Sequence, residues 1–274
     1  MKQGEYMRLQ ERDYLEGLTE KEQEKYREIL EEEKRRAGGF GRVYMFREYP
    51  KAVRHCLSLF PNNYLDINNL QNEELLKEKN QEFSKIISDN ECIERNITKY
   101  INKNDGFHII GSILKCGGYN FGHHDAFLFP EFQLGSSMRP DYLLIGKSSG
   151  GYEFIFVELE SVYGRITTKD GQLGECFHKG IYQVKDWSRW LQANYDSLFG
   201  KFKELKNREE CLPEEFIEYD ESRMHYVVVA GRRSDFNDLT YRIARESFLK
   251  ENIKLLHYDN LIDFSNSIVG ELSY

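Results

Sequence analysis

A chain of 274 residues, 40% hydrophobic and 31% charged, has enough apolar material for a packed domain with an appendage, which excludes an unfolded polymer. Its formal charge of −8 excludes a histone-like polyanion binder, although a local basic face on an acidic protein is compatible with nucleic acid. No apolar run reaches the roughly 18 residues that a membrane span requires.

In chain order, MKQGEYMRLQERDYLEG lacks the apolar stretch of a signal peptide. The next segment, LTEKEQEKYREILEEEKRR, opens on Thr19 with Glu22 three residues later, a capping box, and predicts a charged helix stopped by Gly38-Gly39. With only Tyr26, Ile29 and Leu30 to bury, this helix needs a partner, such as another subunit. GGFGRVYMFREYP imitates the end of a protein-kinase glycine loop. The first glycine would fall at Arg36, and no HRD, DFG or VAIK-like lysine follows, so it reads as a turn before a short strand. Residues 61–90 read as a linker and a polar helix. Residues 1–89 together form a mainly helical region suited to assembly or regulation.

From Asn90 the texture changes. Ile93, Ile97, Tyr100 and Ile101 recur at helical spacing. Strand-like pieces follow: FHIIGSIL, AFLFPEFQL, PDYLLIG and YEFIFVELE, the last two joined by the hairpin connection KSSGG. CFHKGIYQVKDWSRWLQANYDSLF then predicts a helix, with Ile181, Val184, Trp187 or Ser188, and Leu191 on one stripe. MHYVVVAGRR is a buried strand, DLTYRIARESFLKEN a helix, and IKLLHYDNLIDFSNSIV a strand leading into a helix. Residues 90–274 therefore form an α/β domain, a mixed sheet flanked by helices.

The chemistry sits in RPDYLLIGKSSGGYEFIFVELES. Side chains alternate along a strand, so Asp141, Leu143 and Ile145 share one face of the first piece. Phe154, Phe156, Glu158 and Glu160 share one face of the second. If the two pair as a hairpin, three carboxylates converge at one rim of the sheet. Such a cluster repels itself and requires a counter-charge, and its oxygen donors suit Mg²⁺ or Mn²⁺. Hydrolysis of a phosphodiester is the natural chemistry of that arrangement. Two glutamates at a strand end are by themselves an ordinary solvated edge; the RPD at the start of the preceding strand turns the reading to a site.

Pro140-Asp141 … Glu158-Leu159-Glu160 resembles the signature of the PD-(D/E)xK, or restriction-endonuclease-like, nucleases, in the variant with glutamate in the lysine position. FVELES, a threonine-bearing loop, HKGIYQVKDWSRWL, VVVAGRR and IKLLHYDNLID, in that order, resemble the Shedu antiphage defence nuclease domain over about residues 90–265. The resemblance implies a restriction-endonuclease-like fold and a cytoplasmic, metal-dependent endonuclease or nickase that cuts foreign double-stranded DNA as a homo-oligomer. It further implies that Asp141 and Glu158 are metal ligands with the Leu159 carbonyl as a third. Glu160 would stand in the lysine's place, Gln183 would position water or phosphate, and Glu94 on the first helix would complete the metal site.

Lys179, one turn before Gln183, is placed to supply the positive charge that Glu160 does not. Glu131 in FPEFQLG competes with Glu94. Arg139, Arg165, Arg232 and Arg233 are candidates for a phosphate-gripping rim. The five cysteines are scattered and form no CxxC, as in a reduced compartment, and Cys116, His123 and His124 lack a fourth zinc ligand of recognisable spacing. Trp187 and Trp190 on an amphipathic helix read as core rather than as base-stacking platforms. Two other readings remain open: a degenerate nuclease fold that grips DNA without cutting, and an interaction protein acting through residues 1–90.

Overall fold

The structure is a computed structural model that describes residues 9–36, 46–119 and 121–274. It is built on a five-stranded sheet in the order β1-β2-β3-β4-β5. Strands β1 (Asp125–Pro130), β2 (Tyr142–Ser148) and β3 (Gly151–Leu159) form an antiparallel meander. The β2–β3 hairpin closes with Ser148 opposite Gly151, whose φ of 103° only glycine adopts without strain. Strands β4 (Met224–Val229) and β5 (Ile253–Leu256) add in parallel, and such a connection requires a long crossover. The first crossover carries α6 (Glu175–Asn194) and α7 (Asp196–Leu205); the second carries α8 (Asp238–Glu251).

Alternation along the strands divides the core into two layers. Leu144, Ile155, Val157, Leu159 and Val229 face a layer made by α3 (Glu73–Ile87), α4 (Glu94–Lys103), α5 (Phe107–Cys116) and α9 (Tyr258–Ser267). Leu143, Ile145, Phe154, Phe156 and Val228 face α6 and α7, where Phe132, Phe202 and Phe216 pack edge-on and stacked. Each fully buried side chain of this kind contributes about 1.5–3 kcal/mol. The outer edge of β1 is paired by residues 63–65, with Leu65 N donating to Ala126 O at 2.9 Å and Leu128 N to Asn63 O at 2.9 Å, which protects an otherwise open edge.

The capping box of α1 (Glu20–Arg36) forms as expected, Thr19 N bonding Glu22 Oε2 at 2.9 Å. The partner for that helix comes from the same chain: Tyr26 and Ile29 pack against Tyr49 and Val53, the latter in α2 (Lys51–Cys56). The expected Gly38-Gly39 stop, and most of the turn and short strand after it, lie outside the described residues; Phe46–Glu48 is a 3-10 turn.

FHIIGSIL is a helix rather than a strand. Every residue from Phe107 to Leu114 is buried in α5, so the sequence shows a continuous apolar run, and periodicity cannot distinguish a buried helix from a buried strand. Ile93 also departs from the expected stripe. It caps the N-terminus of α4 and is 59% exposed, while Ile97, Tyr100 and Ile101 are buried. The core continues across residue 90, since Leu70, Leu76, Phe83 and Ile87 pack in the same layer as Ile97. No described helix is long and apolar enough to cross a membrane.

Candidate metal centre

Glu158 and Glu160 follow Phe154 and Phe156 on the α6 side of β3, and their exposures are 5% and 2%. Tyr142 pairs with Val157, so the register carried one step further puts Asp141 opposite Glu158. Asp141 Oδ2 accepts a 2.7 Å hydrogen bond from Leu159 N, which fixes its carboxylate across the hairpin. Glu160 is held through its backbone: its N donates to Val229 O at 2.8 Å, and its carbonyl accepts from Tyr258 OH at 2.6 Å. The three carboxylates expected at one rim are therefore brought together, and β4 and α9 lock the strand end that carries them.

Helix α6 supplies the polar partners. Gln183 Nε2 donates to Glu158 Oε1 at 2.5 Å, and one turn earlier Lys179 Nζ donates to Glu160 Oε2 at 2.9 Å. The Lys179 side chain is 59% exposed, so its charge faces solvent while pinning a buried carboxylate.

Gly180 makes this approach possible, and the sequence reading did not single it out. A Cβ at that position would lie 2.5 Å from Val228 Cγ1 and 3.2 Å from Glu160 Cγ. The available signal was a glycine inside a helix, between two polar residues of interest, where it costs about 1 kcal/mol relative to alanine. We expect Gly180→Ala to push α6 off the sheet, costing about 1–3 kcal/mol by overpacking. A thermal melt would detect this, and an unchanged melting temperature would contradict it.

Burial dominates the electrostatics. Desolvation, followed by the backbone bond from Leu159 that opposes it and by the charges of Glu94, Glu131 and Glu160, leaves Asp141 raised to about 7. Desolvation, then Asp141, Glu160 and Glu94, raise Glu158 to about 9, against a lowering by Lys179. Glu160 is raised by burial and held back by Lys179. Two buried acceptors in the cluster, Glu160 Oε1 and Gln183 Oε1, have no hydrogen-bond partner among the described residues. Raised carboxyls beside orphaned acceptors mark a place where the surroundings under-supply positive charge.

Glu94 opens α4 half-buried, and its charge acts on both Asp141 and Glu158; its own carboxyl is raised by burial, with Lys179 opposing. Glu131 is exposed and paired to Arg139 at 3.2 Å, touching the centre through Glu131 N to Asp141 O at 2.8 Å. Of the four rim arginines, Arg232 is committed to structure: it bonds Asp259 at 2.8 and 3.1 Å and the Ile87 carbonyl at 2.6 Å. Arg139, Arg165 and Arg233 are exposed, each in an ion pair. Trp187 is buried at 2% exposure and Trp190 packs against the same core. Cys116 meets Ser267 Oγ at 3.0 Å, and His123 and His124 contact each other.

Among the described residues, no group of three or more His, Cys, Asp or Glu side chains is placed to hold a metal ion. A hard divalent cation does not require three. Mg²⁺ is commonly held by one or two carboxylates with several retained waters, and Asp141 with Glu158 meets that demand. The under-supplied positive charge around the orphaned acceptors fits the same ion.

The family model described as Shedu protein SduA, C-terminal, matches residues 64–262 of the chain. No curated protein matches it.

Proposed function

We propose, starting from the fact that the chain belongs to the Shedu SduA C-terminal family, that it is a divalent-metal-dependent DNA endonuclease or nickase acting in antiphage defence. The observation that carries this reading is the convergence of Asp141 and Glu158 across the β2–β3 hairpin, each raised by burial and by its acidic neighbours. Asp141 and Glu158 would hold Mg²⁺ or Mn²⁺, with the Leu159 carbonyl as a further donor. Bound there, the ion supplies charge stabilisation to a phosphoryl group and lowers the pKa of water.

The protein's own groups do the rest. Gln183 Nε2 fixes the rotamer of Glu158, so one carboxylate oxygen is held while the other remains available. Glu160 takes the position of the lysine in the resembling pattern, and its orphaned Oε1 is an acceptor able to take a proton from water. Lys179 returns from α6 the positive charge that Glu160 removed from β3. Its half-exposed ammonium is free to meet a phosphate. Lys179→Ala is therefore expected to lower the cleavage rate about tenfold, the worth of one charge-assisted contact, with Lys179→Arg retaining more activity. Equal rates in Lys179→Ala and the unmodified protein would remove Lys179 from the site.

The decisive experiment incubates the protein with supercoiled plasmid and with linear DNA, in Mg²⁺, Mn²⁺ or EDTA. Metal-dependent nicking or cutting supports the nuclease. DNA binding that is indifferent to metal, without cleavage, supports the second reading: a DNA-gripping or assembly module whose glutamate at 160 is the mark of lost catalysis. Assembly as a homo-oligomer belongs to the same proposal and is read by light scattering.

A further inference from the structure

The chain that joins β3 to α6 carries a second feature at the rim that holds the carboxylates. Strand β4 is parallel to β3 and β2 is antiparallel to it, so Asp141, Glu160 and the residues after Val229 lie at one end of the sheet. Gly231 N donates to Ser161 O at 3.0 Å, and Ile166, 2% exposed, lies against Gly231. Residues 167–173 then form a small hairpin: Thr167 is bridged to Leu173, and Thr168 N donates to Gln172 O at 2.9 Å. Gly171 N donates to Thr168 O at 2.9 Å, which closes a four-residue turn with Lys169 and Asp170 at its two central positions.

Both legs of the hairpin are tied down. Thr167 Oγ1 donates to Asp235 O at 2.8 Å, and Thr240 Oγ1, fully buried on α8, donates to Gly171 O at 2.9 Å. Gly171 has a φ of 79° and passes so close to Asn237 that a Cβ there would meet its amide oxygen at 2.2 Å. Surface turns are ordinarily mobile, whereas one fixed by buried partners presents its tip at a set place. Lys169 and Asp170 are exposed, and neither side chain bonds another described residue. An ammonium and a carboxylate are thus held out side by side, one to two strand spacings, roughly 5–10 Å, along the rim from Glu160. The major groove of a duplex is about 12 Å wide and admits a two-stranded ribbon of this kind.

We propose that the hairpin enters the major groove of the duplex presented to the carboxylate centre and reads G·C pairs there. Lys169 donates to guanine O6 and N7, and Asp170 accepts from cytosine N4, the pairings that these side chain types favour. Contacts to phosphate position a protein without reading sequence. These two side chains give the DNA-cutting site, on whose reading as a nuclease this rests, a preferred sequence.

Selection from a randomised duplex library tests it, with the full chain in Ca²⁺ so that binding is read without cleavage. The bound fraction is sequenced, and cut positions are mapped separately in Mg²⁺ and Mn²⁺. The expected result is about tenfold enrichment of G·C at one position or two adjacent ones, the scale of a single base contact. Lys169→Ala and Asp170→Ala should each reduce that enrichment at least about threefold, and Lys169→Arg, which can make the same two bonds to guanine, should keep it. A bound fraction without G·C preference overturns the proposal, and so does a preference that both alanine variants retain. The nuclease reading fails separately. Protein that selects G·C duplexes and never cuts them keeps the hairpin's role and defeats the nuclease. Protein that cuts without preference does the reverse, and protein that binds no DNA defeats both.

Discussion

Under the proposed nuclease function, Asp141→Ala and Glu158→Ala are each expected to lower Mg²⁺-dependent DNA cleavage by at least about 10³-fold, a loss of about 4 kcal/mol of transition-state stabilisation. The two carboxylates face each other across one hairpin, so removing either takes away one of the two side chains that would hold the proposed cation and weakens its competition with hydration. Alanine also strands a partner, Leu159 N–H in one case and Gln183 Nε2 in the other, at a cost of about 1–3 kcal/mol. Asp141→Asn and Glu158→Gln separate the two effects. Each keeps an oxygen to accept the existing bond while removing the charge, so the fold remains and cleavage is lost. Plasmid nicking alongside a thermal melt decides the matter; an isosteric variant that still cuts at the native rate excludes its residue as a ligand.

Without metal, the protein is expected to lose stability as pH rises, and Mg²⁺ bound as proposed is expected to reverse that loss. The sign follows from the direction of the shifts. Asp141 and Glu158 are raised above ordinary carboxylates, so across the window from about pH 4.5 to about 9 the folded state binds more protons than the unfolded chain. Stability then falls as pH rises through that window, because the fold must accommodate buried charges that repel. A cation removes the penalty by displacing the same protons. Its affinity should therefore rise up to about tenfold per pH unit for each proton released, about 10²-fold between pH 7 and 9. Glu158→Gln should flatten the pH dependence of the melt and stabilise the metal-free protein at pH 9 by about 1–3 kcal/mol. A metal-free melting temperature independent of pH between 6 and 9, with Mg²⁺ adding nothing, would contradict the clustering of these groups.

Lys179 shows how a crowded carboxylate on one element can be balanced from another. Glutamate at 160 adds a negative charge where two carboxylates already stand, and the cation comes from 19 residues further along the chain. The pairing depends on Gly180, since a side chain there would separate α6 from β4. A strand-level signature and a helix-level compensation thus form one structural unit, and mutating either alone exposes the other.

Sequence by itself determined which side chains share a face. The period of two along residues 140–160 placed Asp141, Glu158 and Glu160 on the side of Phe154 and Phe156, because alternation is a local property of extended backbone and needs no knowledge of partners. It also placed the hairpin, through KSSGG, and the helix cap at Thr19, both set by residues adjacent in the chain. The tertiary structure alone decided the rest. Whether FHIIGSIL became strand or helix was settled by burial in the layer shared with the sheet and α9, since a uniformly apolar run has no period to read. The commitment of Arg232 to Asp259 and Ile87, the close passage at Gly180 and the raised carboxyls at the rim join segments far apart in the chain. Those properties are distances and dielectric surroundings, which a one-dimensional pattern does not contain.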